Sequence, residues 1–122
     1  MKIFDTHVHY DDQAFDQDRE AVITGLNGEN VANITNIGFD LESSRNTVEL
    51  TKKYPFIYGA VGIIPEHANE GNEESLAEIE KLASENEKVC AIGEIGLDYH
   101  YDDGPSKEKQ AEVFLAQMDI AR

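Results

Sequence analysis

The hydrophobic and polar positions of this chain repeat in one order, a short apolar run followed by a longer amphipathic stretch. Four apolar runs predict β-strands, at residues 2–8, 31–37, 57–64 and 89–95. After each run, apolar residues recur at helical spacing. Four strand-helix repeats predict an α/β fold, with parallel strands, helices outside the sheet and right-handed connections. No linker or low-complexity tract interrupts them, and we expect residues 1–122 to form a single domain.

The first and last predicted helices each combine an N-cap residue with an apolar face. Asp11 and Asp12 cap the first helix. Its apolar face consists of Phe15, Val22, Ile23 and Leu26. Ser106 caps the last helix. Its apolar face consists of Ala111, Phe114, Leu115 and Met118. We expect Phe114 and Met118 to lie in the core, and a polar loop to precede the third helix up to residue 72.

The net charge and the cysteine content limit which ligands and which cell compartment we expect for this protein. The 122 residues carry 25 acidic and 10 basic side chains, a net charge of −15, so a nucleic-acid ligand would need bound cations to offset the repulsion. No apolar run could cross a bilayer, and we expect neither a signal peptide nor a membrane partner. The single Cys90 can form no intrachain disulfide, which favours the cytoplasm, and its apolar neighbours predict burial.

The candidate chemistry lies at the ends of the first and fourth predicted strands. His7 and His9 alternate on one strand, so their imidazoles project to the same face, as a divalent metal site needs. An isolated pair of this kind is more often a strand cap beside a surface residue. In parallel α/β folds, however, sites form at the carboxyl ends of strands. Glu94 lies there between glycines, and a cation shared with the histidines explains it most simply.

The other polar residues near these strand ends have competing interpretations. Glu94 could alternatively accept hydrogen bonds from backbone N–H groups or pair with an arginine. Asp98 either orients a metal-bound histidine or forms a turn, and the sequence favours neither. His67 and His100 fall in predicted loops, where exposure to solvent is the simplest explanation.

The same strand ends belong to an ordered set of motifs. The set comprises Phe4-Asp5-Thr6-His7-Val8-His9, Asp11-Asp12 with Phe15-Asp16, residues 36–44, Tyr54-Pro55, Ala60-Val61-Gly62 and residues 91–99. In this order the motifs resemble the N-terminal part of the TatD family of metal-dependent deoxyribonucleases, which belong to the amidohydrolase-like barrels. The resemblance covers the whole chain. It implies a TIM-type barrel of eight (β/α) units, of which this chain supplies four as a half barrel.

The resemblance also implies an activity and a set of site residues. In it, His7 and His9 bind one divalent metal ion, and Glu94 is a catalytic residue that bridges two ions. Metal-activated water then cleaves phosphodiester bonds of DNA. The ions could be zinc, manganese, nickel, iron or, less suitably, magnesium. The family's remaining ligands, two histidines and an aspartate, together with a substrate-binding arginine, would lie beyond Arg122.

The chain departs from the family pattern after the third predicted strand. The family usually has His-Pro-His there, whereas this chain has Ile64-Pro65-Glu66, with His67 one residue later. Glu66 and His67 are therefore candidate residues at the mouth of the site. The phosphate contacts and the substrate choice of the family are not carried over at this position.

A half barrel leaves two strand edges unpaired, and unpaired edges favour association. We therefore predict a homodimer in which each copy replaces strands five to eight of the other about a two-fold axis. A shortened product of a longer gene is the other explanation of the chain length. Three functions stay open: a TatD-type deoxyribonuclease, another barrel hydrolase acting on a small ester or amide, and a catalytically silent fragment that self-associates. For the isolated chain we favour the last, because three ligands are few for two metal ions.

Overall fold

The computed structural model describes all 122 residues and alternates four β-strands with four α-helices. The strands are β1 (Ile3–Val8), β2 (Val31–Ile37), β3 (Ile57–Val61) and β4 (Val89–Ile92). The helices are α1 (Arg19–Gly25), α2 (Leu41–Lys53), α3 (Glu73–Ser84) and α4 (Lys107–Ala121). Short 3₁₀ segments lie in the connections, at Gln13–Phe15, Leu26–Glu29 and Pro65–Glu70.

The four strands form one parallel sheet in the order β1-β2-β3-β4. Sequential parallel order with a helix after each strand is the arrangement of a (β/α) barrel, so the predicted α/β fold with parallel strands is confirmed. The helices cover one face of the sheet and bury two apolar clusters. One cluster consists of Ile23, Ile34, Leu50, Tyr54 and Ile57. The other consists of Val48, Val61, Ile63, Ala68, Ile79 and Val113.

The edge strands β1 and β4 are much more exposed than β2 and β3. In β1 every residue before Val8 is exposed to solvent. In β4 the middle residues Cys90 and Ala91 are exposed. The predicted burial of Cys90 is therefore wrong, because β4 has a neighbouring strand on one side only. None of the helices combines the length and the apolar character that a bilayer crossing requires.

The first helix begins later than predicted. Asp12 caps only a short 3₁₀ segment, where its side chain accepts a hydrogen bond from the backbone N–H of Ala14. The α-helix itself begins at Arg19. The Arg19 guanidinium donates to the carbonyl oxygens of Tyr10, Asp11 and Asp12 at 2.7, 3.1 and 2.9 Å. These bonds fold the segment that follows β1 back against the start of α1, and a continuous helix from Asp12 would prevent that.

Strands β3 and β4 end earlier than predicted, at Val61 and Ile92 instead of residues 64 and 95. Beyond Val61 the backbone finds partners outside the sheet. The Gln117 side chain on α4 accepts from the Ile63 N–H at 2.8 Å and donates to the Ile63 carbonyl at 3.0 Å. The predicted polar loop that follows contains the 3₁₀ segment Pro65–Glu70. A side chain distant in sequence thus ends the strand, which a local apolar run does not reveal.

Helix α4 buries a different face from the predicted one. Its buried residues are Gln110, Val113 and Gln117. Met118 is 47% exposed and Phe114 lies outside both apolar clusters, so the prediction that these two residues lie in the core is wrong. Leu115, on the predicted apolar face, is 59% exposed. The two glutamines are buried because their amides pair with backbone groups, which offsets the cost of burying them.

Candidate metal centre

The carboxyl end of β1 presents two imidazoles, and the neighbouring strand orients one of them. The Nδ1 atom of His9 lies 2.9 Å from the carbonyl oxygen of Ile37, the last residue of β2. A carbonyl can only accept a hydrogen bond, so Nδ1 carries the proton and Nε2 keeps its lone pair. This is the way in which metal-binding histidines are usually held, with one nitrogen bonded to the protein and the other free for the ion.

Glu94 follows β4 and is held by the ends of β2 and β3. The N–H of Gly93 donates to the Val61 carbonyl at 2.9 Å, and the N–H of Glu94 donates to the Gly38 carbonyl at 2.8 Å. The backbone can cross the sheet here because residue 62 is a glycine. A Cβ on Gly62 would lie 2.9 Å from the carbonyl carbon of Gly93. Close approach of two backbones therefore delivers Glu94 to the rim where β1 ends.

The three residues predicted from the sequence meet at this rim. His7 Nε2 lies 3.4 Å from Glu94 Oε2. One ligand atom each from His7, His9 and Glu94 lies within 4.8 Å of the others. Two imidazole nitrogens and one carboxylate oxygen suit zinc, manganese and related ions, and three protein ligands leave coordination positions open for water or substrate. The side chains of His7 and Glu94 are about half exposed, at 53% and 50%, so a ligand can reach them.

An open cleft of about 400 Å³ adjoins His9 and Glu94. Its wall includes Phe39, Glu66 and Asp98, and it contains no lysine or arginine. Three carboxylates without a neighbouring cation give the cleft a negative potential that attracts cations and repels phosphate. The cleft therefore favours the binding of a cation. An anionic substrate is attracted only after a cation has bound.

Asp98 lies in the cleft wall, but its hydrogen bonds are those of a turn. Its Oδ1 accepts from the backbone N–H of His100 at 2.8 Å. Its own N–H donates to Gln110 Oε1 at 2.8 Å. Neither His7 nor His9 forms a hydrogen bond with Asp98. Of the two interpretations of Asp98, the structure therefore favours the turn residue over the residue that orients a metal-bound histidine. His100 is exposed to solvent, as expected.

Glu66 and His67, the two candidates for the mouth of the site, are not among the three converging residues His7, His9 and Glu94. Glu66 belongs to the cleft wall. His67 lies in a 3₁₀ segment, not in the expected loop, with its Nδ1 atom 3.0 Å from Glu70 Oε1. The ring centroid of Phe39 lies 6.1 Å from that of His9 and 6.0 Å from that of His67.

Asn36 and Phe39 were not predicted as site residues, because the sequence analysis includes them only within the motif of residues 36–44. Asn36 has one local signal of its own, since it is a polar residue inside an apolar strand, and such a residue needs a buried partner. Phe39 has no comparable signal, because an aromatic residue after a strand is most often part of the core.

The parallel strand-helix order and the three converging ligands define a class, the metal-dependent hydrolases built on a (β/α) barrel. The family is more specific. The family model described as "TatD related DNase" matches residues 4–122, so the chain belongs to this family, as the motifs predicted.

Individual relatives agree with this assignment. The chain is 44% identical over 120 residues to the uncharacterized metal-dependent hydrolase YabD of Bacillus subtilis, covering 98% of this chain and 46% of that protein. It is 31% identical over 119 residues to the 3'-5' ssDNA/RNA exonuclease TatD of Cronobacter sakazakii, covering 98% and 44%. The crystal structure of YjjV, a TatD homolog from Escherichia coli, matches with a TM-score of 0.87 at 30% identity, over 98% of this chain and 46% of that one. The chain thus spans less than half of each relative, and the predicted half barrel is confirmed.

Proposed function

We propose that this chain is the N-terminal, metal-binding half of a hydrolase that cleaves phosphodiester bonds of DNA. The observation that carries the proposal is the convergence of His7, His9 and Glu94 within 4.8 Å at the carboxyl ends of the strands. The name of the matching family and the exonuclease name of the relative from Cronobacter sakazakii support a nucleic-acid substrate. The single cysteine supports a cytoplasmic location.

Each candidate ligand contributes a separate part of the chemistry. His9 offers Nε2 because Ile37 holds its other nitrogen. Glu94 would hold a cation through its carboxylate, one oxygen of which lies 3.4 Å from His7 Nε2. When bound, divalent cations activate a water molecule and neutralise the charge that develops on a phosphodiester. Since Glu66 and Asp98 add negative charge to the cleft, a phosphate can approach only a metal-loaded site.

The full-length protein provides the test of this function. We expect protein stripped with chelator to leave a 3'-labelled single-stranded DNA intact, and added zinc, manganese, nickel or magnesium to restore cleavage. Removal of metal should abolish activity, because no cation then activates the water molecule or offsets the repulsion between the cleft and the phosphate. A fluorogenic ester measured in parallel separates the two hydrolase classes. Ester turnover without DNA cleavage would replace the proposed substrate with a small ester.

The isolated 122-residue chain is expected to self-associate and to have no measurable turnover. Its edge strands β1 and β4 are exposed and carry apolar side chains such as Ile3 and Phe4, so a second copy could cover them. Three candidate ligands are also few for two ions. Light scattering at micromolar concentration should give the mass of a dimer. A monomeric mass, or DNA cleavage that Glu94→Ala removes, would contradict this expectation.

A further inference from the structure

The buried amide of Asn36 joins β2 to the segment that follows His9. Asn36 is fully buried and uses both ends of its side chain. Its Oδ1 accepts from the backbone N–H of Tyr10 at 2.7 Å. Its Nδ2 donates to Asp11 Oδ1 and to Thr47 Oγ1, both at 2.7 Å. One side chain thus ties the residues after β1 both to the sheet and to α2.

The same segment is held from its other side by a guanidinium. Arg19 donates to the carbonyl oxygens of Tyr10, Asp11 and Asp12, and its Nη2 also lies 2.6 Å from Asp16 Oδ1. The N–H and the carbonyl of Tyr10 are therefore both engaged, one by Asn36 and one by Arg19. A backbone segment with both of its polar groups paired has little freedom to shift.

Consecutive residues of β2 hold consecutive residues after β1. Ile37 accepts from the His9 ring, and Asn36 accepts from the backbone of Tyr10. If the Tyr10 backbone moved, the His9 backbone would move with it, and the bond between the ring and the Ile37 carbonyl would be strained or lost. The imidazole would then no longer be restricted to the tautomer that leaves Nε2 free.

We propose that Asn36 is a positioning residue for the metal centre, which fixes the segment after His9 so that the imidazole presents Nε2 to the cation. The inference rests on the proposed function in one respect, that a cation binds at His9. Asn36 itself faces the loop and α2, and it contributes no ligand atom to the group of three.

The contact needs an amide because it faces a donor and an acceptor at once. Asn36→Asp would place a second carboxylate at the position where Nδ2 now lies 2.7 Å from Asp11 Oδ1. The two negative charges would repel each other in a buried site. Adding Asp11→Asn supplies an amide N–H at position 11, which can donate to the new carboxylate. The pairing is thereby restored with its direction reversed, while Tyr10 keeps its acceptor.

Titration with Co²⁺, followed by its visible absorption, provides the test in the full-length protein. We expect Asn36→Asp to weaken Co²⁺ binding by about 10–100-fold, the usual effect of losing a partner that orients a ligand. The double variant with Asp11→Asn should recover most of the affinity and the wild-type spectrum. Unchanged affinity in Asn36→Asp, or no recovery in the double variant, would overturn the proposal.

A matched control separates positioning from general stability. Thr51 is buried on α2, and its hydroxyl donates to the Val48 carbonyl at 2.8 Å. This hydrogen bond stays within α2 and does not involve the segment after His9. Thr51→Val should lower the midpoint of urea unfolding and leave Co²⁺ affinity unchanged. If Asn36→Asp does not fold, Asn36→Ser replaces it, because the shorter side chain removes the acceptor of the Tyr10 N–H without adding a charge. Wild-type affinity in Asn36→Ser would then overturn the proposal.

The tautomer of His9 in metal-free protein can be measured whether or not the proposed function is correct. Protein that binds no Co²⁺ at all would refute the metal centre itself. The imidazole tautomer can still be measured in metal-free protein, by long-range ¹H–¹⁵N spectra. Wild-type His9 should show the Nδ1–H tautomer alone, and Asn36→Asp a mixture of both tautomers. A single, unchanged tautomer in the variant would refute the positioning role.

Discussion

Glu94→Gln is expected to lower the affinity for divalent metal by more than the roughly 10–100-fold that follows the loss of an orienting partner. Glu94 supplies the only negative charge among the three converging ligands, since the other two are imidazoles. The substitution keeps the size of the side chain, and the backbone bond from residue 94 to Gly38 does not depend on it. Calorimetric titration with zinc or manganese should show the loss, and the proposed DNA cleavage by the full-length protein should fall with it.

Glu66→Gln is the matched control, because it removes the same charge from the wall of the same cleft. Glu66 is outside the group of three ligands, so its loss should change metal affinity only slightly. Far-ultraviolet circular dichroism of both variants should match the wild type. Equal losses of affinity in the two variants would mean that the general negative potential of the cleft, and not a formed ligand set, holds the ion.

The candidate ligands could be selected from the sequence because their signals are local. His7 and His9 are two positions apart, which places them on one face of a strand whatever the rest of the chain does. Glu94 stands out as a charge within an apolar run. The rule that sites form at the carboxyl ends of parallel strands then brings the two signals to one rim. The structure shows that their ligand atoms do lie close together.

The long-range contacts of buried polar side chains could not be predicted in the same way. Asn36 and Tyr10 are 26 positions apart, and Gln117 and Ile63 are 54 positions apart. A buried polar side chain reveals that it needs a partner, but its sequence neighbours do not identify the partner. For the same reason the sequence did not identify the buried glutamines of α4, and Phe114 and Met118 were predicted to lie in the core.

Gly38→Ala is expected to weaken the metal centre and to destabilise the fold by about 1–3 kcal/mol, the usual range for overpacking. A Cβ on Gly38 would lie 2.5 Å from Ser44 Oγ and 2.7 Å from its Cα. Ser44 cannot retreat, because it lies in the first turn of α2, which the capping box of Asp40 and Ser43 fixes. The end of β2 must therefore shift instead. Because the Gly38 carbonyl accepts from the N–H of Glu94 at 2.8 Å, Glu94 would shift as well.

Gly71→Ala offers an equally crowded control away from this backbone bond. A Cβ on Gly71 would lie 2.5 Å from Cγ2 of Val113, so the stability loss should be similar. Urea unfolding should show both variants destabilised, whereas metal titration should show reduced affinity only in Gly38→Ala. Wild-type metal affinity in a destabilised Gly38→Ala protein would mean that the end of β2 does not position Glu94. If Gly38→Ala loses both metal affinity and stability while Gly71→Ala loses only stability, the end of β2 positions both His9 and Glu94. Strand β2 itself contributes no ligand.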